Sequence, residues 1–174
     1  MPELFSERLR LRGHCANDHA AATDLWQQPE VYRFILPEAP SSQDVWLRLL
    51  RYSGLWDFFG FGYWAVEERE SEAYIGQIGF ADFRRGLVGF DTSVPEAGWV
   101  IHPRYSGRGL ATEAMRVACD WLDRQSFAER SFCLIDPGNL PSRRIADKLG
   151  YRLALTTPMG EKTAGVYLRS RVAS

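Results

Sequence analysis

The stretch Ile101-His102-Pro103-Arg104-Tyr105-Ser106-Gly107-Arg108-Gly109-Leu110-Ala111-Thr112-Glu113-Ala114 runs from the end of a strand through a Gly-rich turn directly into a helix. Pro103 removes an N–H donor and pushes His102 toward extended geometry, so the strand stops there. Beyond the turn, Ala111, Ala114, Met115, Ala118 and Leu122 share one helical stripe. Such a junction leaves the first helical N–H groups unpaired and aims the positive end of the helix dipole outward, a site suited to phosphate. Gly107 and Gly109 let the backbone approach a ligand where a Cβ would intrude. Arg104 and Arg108 flank the turn and can neutralise phosphate charge. Other phosphate motifs fit poorly. A P-loop would close on Gly-Lys-Ser/Thr, but Leu110 and Ala111 follow Gly109. A dinucleotide fingerprint would place Gly or Ala where Thr112 stands.

Outward from this turn, the chain alternates strand and helix patterns. Arg8-Leu9-Arg10-Leu11-Arg12 alternates charged and apolar residues, a strand with one buried face. Asn17 or Asp18 can cap a helix through Ala21, Leu25 and Trp26 that ends before Pro29. Ser41 and Asp44 have capping-box spacing and open a second helix whose inward face carries Val45, Leu49 and Tyr52. Strands are expected over 60–68 and 73–83, joined by the charged turn 68–72. Residues 84–95 read as a loop and 96–102 as the next strand. Phe132-Cys133-Leu134-Ile135 is a continuous apolar run, hence a strand covered on both faces. Asn139 to Leu149 reads as a short helix with Gly150 as its cap, and 151–155 and 164–168 as closing strands. Without repeats or linkers, one α/β domain spanning 1–174 is expected, of the α+β type.

The spacing Arg104-x-x-Gly107-x-Gly109 resembles the pyrophosphate-binding signature of the GCN5-related N-acetyltransferases (GNAT). Further pieces are similar to the branch of ribosomal-protein N-terminal acetyltransferases. These are Ser6 to Arg12, Pro29-Glu30-Val31, Glu96-Ala97-Gly98-Trp99, Ala111-Thr112-Glu113-Ala114, and Asn139-x-x-Ser142 with Lys148-Leu149-Gly150-Tyr151. The resemblance implies a GNAT-like mixed, mostly antiparallel twisted sheet of six or seven strands flanked by about four helices. It also implies a V-shaped split beside 96–102, with acetyl-CoA as co-substrate. Its pyrophosphate would lie on Ser106, Gly107, Arg108, Gly109, Leu110 and Ala111, and its pantetheine along Trp99, Val100 and Ile101. Asn139 would hydrogen-bond the pantetheine arm, and Ser142 would stand near the sulfur as a proton donor. Arg143 and Arg144 could reach the adenosine 3′-phosphate; solvated helix-surface arginines are the alternative.

Acetyl transfer to an amine requires a held thioester, a deprotonated amine, a stabilised oxyanion and a protonated leaving thiolate. Glu96, two residues before Gly98, is the first choice of base; a solvent-facing strand-end carboxylate is the alternative. Asn139 and Ser142 also suit a plain helix cap. Tyr151 and Tyr105 are rival donors to Ser142. His102 titrates near neutrality, but its place beside Pro103 points to a structural role. Cys119 and Cys133 read as core, and so does most of the aromatic cluster Trp56, Phe58, Phe59, Phe61, Tyr63 and Trp64, with one or two rings left to wall an acceptor cleft.

Composition sets the outer bounds. A chain of 174 residues can bury a core without staples, and its net charge of −1 gives no bulk attraction to nucleic acid or anionic membrane. Three cysteines and three histidines without metal-ligand spacing point to no metal site. No signal-peptide pattern opens the chain. The expectation is a cytoplasmic enzyme, monomer or homodimer, acting on a primary amine of a protein N-terminus or small molecule. A non-catalytic acyl-CoA-binding module and a transferase of longer acyl groups are the rival readings.

Overall fold

The computed structural model describes residues 1–160 and 162–172. Eight strands form a single sheet: β1 (Leu4–Phe5), β2 (Leu9–Arg12), β3 (Tyr63–Glu68), β4 (Tyr74–Ala81), β5 (Glu96–Ile101), β6 (Arg130–Ile135), β7 (Arg152–Met159) and β8 (Lys162–Ser170). Their order is β1-β2-β3-β4-β5-β6-β8-β7, antiparallel throughout except where β5 meets β6. The helices are α1 (His19–Trp26), α2 (Pro29–Tyr32), α3 (Ser42–Phe59), α4 (Leu110–Asp123) and α5 (Leu140–Lys148). This is the mixed GNAT architecture, one strand and one helix richer than the sequence suggests. The additions are the two-residue β1 and the four-residue α2, both too short to show a period.

Local chemistry explains most boundaries. Ser41 caps α3 by accepting from the Asp44 N–H at 3.1 Å while the Asp44 carboxylate accepts from the Ser41 N–H at 3.0 Å, the reciprocal box read from sequence. Gly60, left-handed at φ +72°, ends the same helix, so β3 starts only at Tyr63. Residues Ala16–Asp18 form a 3-10 turn, and Asp18 holds the N-cap position of α1 without a side-chain cap bond. The Asp18 carboxylate instead accepts from Arg12 Nη1 and Nη2 at 2.8 and 2.7 Å and from the Cys15 N–H at 2.8 Å.

Apolar packing divides over the two faces of the sheet. Leu9, Leu11, Trp64, Val66, Ile78 and Phe80 pack with Leu110, Ala114, Met115 and Ala118 of α4, and Ala146 of α5 joins them. On the other face Tyr63 and Ala81 pack with Leu25 and Trp26 of α1 and Val45, Leu49 and Tyr52 of α3. Chain neighbours such as Tyr63 and Trp64 therefore serve opposite faces, as the strand period requires. Trp56, Trp64 and Trp121 meet edge to face, with centroids 4.6, 5.4 and 5.2 Å apart. Phe58, expected in the core, is 84% exposed because it lies on the outer side of α3. No helix among the described residues is long and apolar enough to cross a membrane.

Candidate active site

The sheet is nearly divided between β5 and β6. β4 and β5 pair along their whole length, from Gly76↔Ile101 to Ala81↔Glu96. β5 and β6 pair only at Glu96↔Phe132, closed by the Phe132 N–H donating to the Pro95 carbonyl at 3.0 Å. The His102 N–H donates to Ile75 in β4 at 2.8 Å. Backbone groups alternate sides along a strand, so those of Gly98 and Val100 face β4, while those of Ala97, Trp99 and Ile101 face the opening. The Val100 backbone therefore belongs to the β4 ladder, a correction to its expected cofactor contact. Trp99 and Ile101 are the residues whose N–H and C=O groups border the split.

At the far end of β5 the chain makes a 3-10 turn, Pro103–Tyr105, capped by His102, whose Nδ1 accepts from the Arg104 N–H at 3.1 Å. His102 Nε2 lies 3.2 Å from Asp24 Oδ2, so both ring nitrogens have structural partners. Gly107 and Gly109 follow at φ +77° and +78°, and α4 begins at Leu110. Glu113 makes the first α4 bond, its N–H donating to Gly109 at 3.0 Å. Among the described residues, the N–H groups of Gly107, Arg108, Gly109, Leu110, Ala111 and Thr112 have no acceptor. Ser106 is different, because its N–H donates to the Pro103 carbonyl at 2.9 Å; only its hydroxyl remains available for the expected contact. The Leu110 side chain is buried under the turn and anchors it.

Glu113 fixes the other side of the turn. Its carboxylate accepts from Ser6 Oγ at 2.7 Å, the Arg8 N–H at 3.0 Å and Arg8 Nε at 2.8 Å. Burial pushes this carboxyl up, but those donors together hold it below the usual range. Arg108 is tied to Glu68 at 2.6 Å, whereas Arg104 is exposed and free of carboxylates among the described residues. Arg8, Arg69 and Arg108, together with Glu7, Glu68 and Glu70, border a cleft of about 430 Å³ beside the turn. The sequence reading missed Arg8 and Arg69, whose positions depend on the β2–β3 pairing.

Asn139 and Ser142 sit on the other bank of the split. Asn139 is the N-cap of α5, its side-chain oxygen accepting from the Ser142 N–H at 3.2 Å. Both are half-buried, and the Ser142 hydroxyl has no hydrogen-bond partner among the described residues. Tyr151 is fully buried with its hydroxyl 2.8 Å from Ser131 Oγ, so it is a core residue. Tyr105 packs edge-on against His102 at the turn after β5, away from the Glu96 end of the strand. Arg143 and Arg144 are exposed on α5, and Arg143 reaches the Pro137 carbonyl at 3.3 Å.

Glu96 is buried at the start of β5, not facing solvent. Burial pushes its carboxyl up, opposed by the Arg85 guanidinium that donates to Oε2 at 2.7 Å. Arg85 comes from the 84–95 loop and is held over the Phe83 ring at 4.8 Å. A Cβ at Gly98 would collide with the Tyr63 hydroxyl, so glycine there admits the phenol to β5. Tyr63 stacks on Tyr52 with centroids 4.1 Å apart, and burial raises its phenol well above its usual range. Tyr63 and Arg85 are thus the site neighbours that spacing alone could not reveal. Glu96 lies on the α1/α3 side and Asn139–Ser142 on the α5 side, with no direct hydrogen bond between them.

Known proteins match this arrangement. The model of the acetyltransferase (GNAT) domain matches residues 8–152. An uncharacterised Bacillus subtilis protein, YkkB, is 29% identical over 96% of this chain and 95% of its own. A solved Bordetella pertussis protein assigned to the GnaT acetyltransferase family superposes with TM-score 0.85 at 29% identity, covering 98% and 100% of the two chains. RimL, a ribosomal L7/L12 α-N-protein acetyltransferase solved with coenzyme A, shares the fold at TM-score 0.78 and 12% identity over 97% and 98%. The chain belongs to the GNAT family of acetyltransferases.

Proposed function

We propose that this protein is an acetyl-CoA-dependent N-acetyltransferase that moves the acetyl group directly to a primary amine in a ternary complex. The observation that carries this reading is the run of free N–H groups from Gly107 to Thr112, in line with the open edge of β5. Those donors and the α4 dipole suit a diphosphate, with Arg104 and the Ser106 hydroxyl beside it. The Trp99 and Ile101 backbone, with Asn139 opposite, suits the amide-bearing pantetheine arm.

In this mechanism the amine nitrogen attacks the thioester carbon from the α1/α3 side. A backbone N–H of β5 stabilises the oxyanion, and collapse of the tetrahedral intermediate breaks the C–S bond. Ser142 delivers a proton to the departing thiolate and regains one from the proton that the attacking nitrogen sheds as the amide forms. Glu96 takes the ammonium proton directly or through water, and its upward pKa shift makes it a better base than a solvated carboxylate. Cys119 and Cys133 are buried thiols pushed above their usual range, which favours direct attack over an acyl-cysteine route.

The test is release of CoA from acetyl-CoA across N-terminal peptides, polyamines, aminoglycosides and amino acids. Ser142→Ala is expected to keep acetyl-CoA affinity and to lose about 10²-fold in single-turnover rate. A loss confined to KM would make Ser142 a binding residue. Glu96→Gln is expected to flatten the acidic limb of the pH–rate profile. Acetyl-CoA binding without turnover of any amine would support a non-catalytic acyl-CoA module instead.

A further inference from the structure

A second cleft of about 500 Å³ lies between the 36–40 loop and α3, on the α1/α3 side of the sheet. Arg48 and Arg51, one helical step apart, both line it. Neither guanidinium has a carboxylate partner among the described residues. Arg48 is laid over the Trp26 ring at 3.9 Å, and its Nη1 donates to the Tyr52 hydroxyl at 3.4 Å. Its Nε is buried with no acceptor among the described residues, an arrangement that folded proteins rarely leave unfilled. Arg51 rests against Tyr52 and Phe83 at 5.7 and 5.1 Å. Aromatic faces thus orient both forks, and beyond the Arg48–Tyr52 bond their donors have no hydrogen-bond partner among the described residues.

Two carboxylates share the cleft. Asp44 is engaged by the Ser41 N–H and Oγ, at 3.0 and 2.6 Å, as part of the α3 cap. Glu38 lines the opposite wall without an ion pair to either arginine. Leu36, Pro37, Pro40 and Leu47 supply apolar wall. A chain of packed side chains runs from this cleft to β5. Tyr52, which receives Arg48, stacks on Tyr63, whose hydroxyl stands over Gly98. Arg51 is also near enough to Glu96 to act on it electrostatically.

We propose that Arg48 and Arg51 form an anion-binding subsite for the acceptor, which is therefore an amine that also carries a carboxylate or phosphate. The amine sits at Glu96, and the anion sits between the two guanidiniums. The inference rests on the acetyl-transfer reading for the position of the amine. Arg85 takes no part, because it is already bound to Glu96.

The experiment compares matched amines in the presence of CoA by thermal shift, and in the presence of acetyl-CoA by CoA release. The pairs are alanine and alaninamide, O-phosphoethanolamine and ethanolamine, and Ala-Asp and Ala-Asn peptide amides. They distinguish a free amino-acid carboxylate, a phosphate monoester and an acidic peptide. The anionic member of at least one pair is expected to bind about 10- to 100-fold more tightly than its neutral partner, as charge-assisted hydrogen bonds imply. That contrast should vanish in Arg48→Gln/Arg51→Gln and shrink in Arg51→Gln alone, a change at an exposed position. Acetyl-CoA binding, measured on the same variants, reports the fold and the cofactor site. Failure of wild-type acetyl-CoA binding would sink the transferase reading. Intact acetyl-CoA binding with no anionic preference in any pair, or with a preference that survives both substitutions, would overturn the subsite alone.

Discussion

His14 lies between Tyr52 and Tyr74, with ring centroids 5.6 and 6.3 Å away, and neither of its nitrogens has a hydrogen-bond partner among the described residues. Its Nδ1 is 3.8 Å from Asp18 Oδ2, too far for a hydrogen bond. Burial pulls the imidazole down from 6.5 to about 4, against the attraction of Asp18 and with help from Arg12. As pH falls from about 6.5 to 4, the unfolded chain binds this proton before the native one does. Stability should therefore decline across that window by up to about 3 kcal/mol, and none of this loss should occur above pH 7. His14→Phe keeps the ring and removes the titration. Urea melts at pH 7, 5.5 and 4.5 should show a shallower decline in the variant; an unchanged decline would place the acid sensitivity elsewhere. Histidine chemistry can be anticipated from composition, but its depth cannot. The same is true of Glu96, whose place at the start of β5 was legible while its Arg85 partner was not. That partner depends on a loop with no periodic pattern.

At the scale of elements, the turn entering α4 carries a sharper expectation. Gly109 is left-handed at φ +78°, and a Cβ there would meet only Arg8 Nη2, at 4.0 Å. The protein itself leaves room for a methyl group. Gly109→Ala should therefore destabilise the fold by about 1–2 kcal/mol, the cost of placing an L-residue in that region. Any weakening of acetyl-CoA binding in the folded variant then reports crowding of the ligand. Chemical denaturation and calorimetric titration separate the two effects, and full retention of affinity would move the diphosphate away from this turn. The junction was readable because strand stop, glycines and helix stripe are all local. The Ser41–Asp44 box was readable for the same reason. The cap position of Asp18 was legible too, but its carboxylate pairs with Arg12 of β2, a contact set by the sheet and not by its chain neighbours. β1 and α2 were missed because two and four residues carry no usable period. Val100 was assigned to the split because strand parity depends on register, which only the His102–Ile75 bond fixes.

Across the whole molecule, the second half of the sheet depends on a buried ion pair. Arg169 of β8 donates to both Asp123 oxygens, at 2.7 and 2.6 Å, and its Nε donates to the Leu149 carbonyl at 3.0 Å. The pair joins the end of α4, the end of α5 and β8 at one point. Asp123→Ala would leave a buried guanidinium charge without its partner. It should cost about 3 kcal/mol and lower Tm by about 10 °C. Replacing both residues, as Asp123→Leu with Arg169→Met, should recover most of that loss, since apolar substitutes avoid the stranded charge. Calorimetry of the two variants decides the matter, and equal Tm losses would mean that packing, not charge, sets the cost.

The opening between β5 and β6 has a consequence for isotope exchange in heavy water. Amides in the middle of a sheet are normally the last to exchange, because release requires global unfolding. Here those of Trp99 and Ile101 point into the opening while Val100, between them, is bonded to β4. Deuterium should enter at alternate residues of one central strand, early at 99 and 101 and late at 98 and 100. A slow sheet would thus be crossed by a narrow fast line. Saturating acetyl-CoA should erase that line without altering the strands on either side of it.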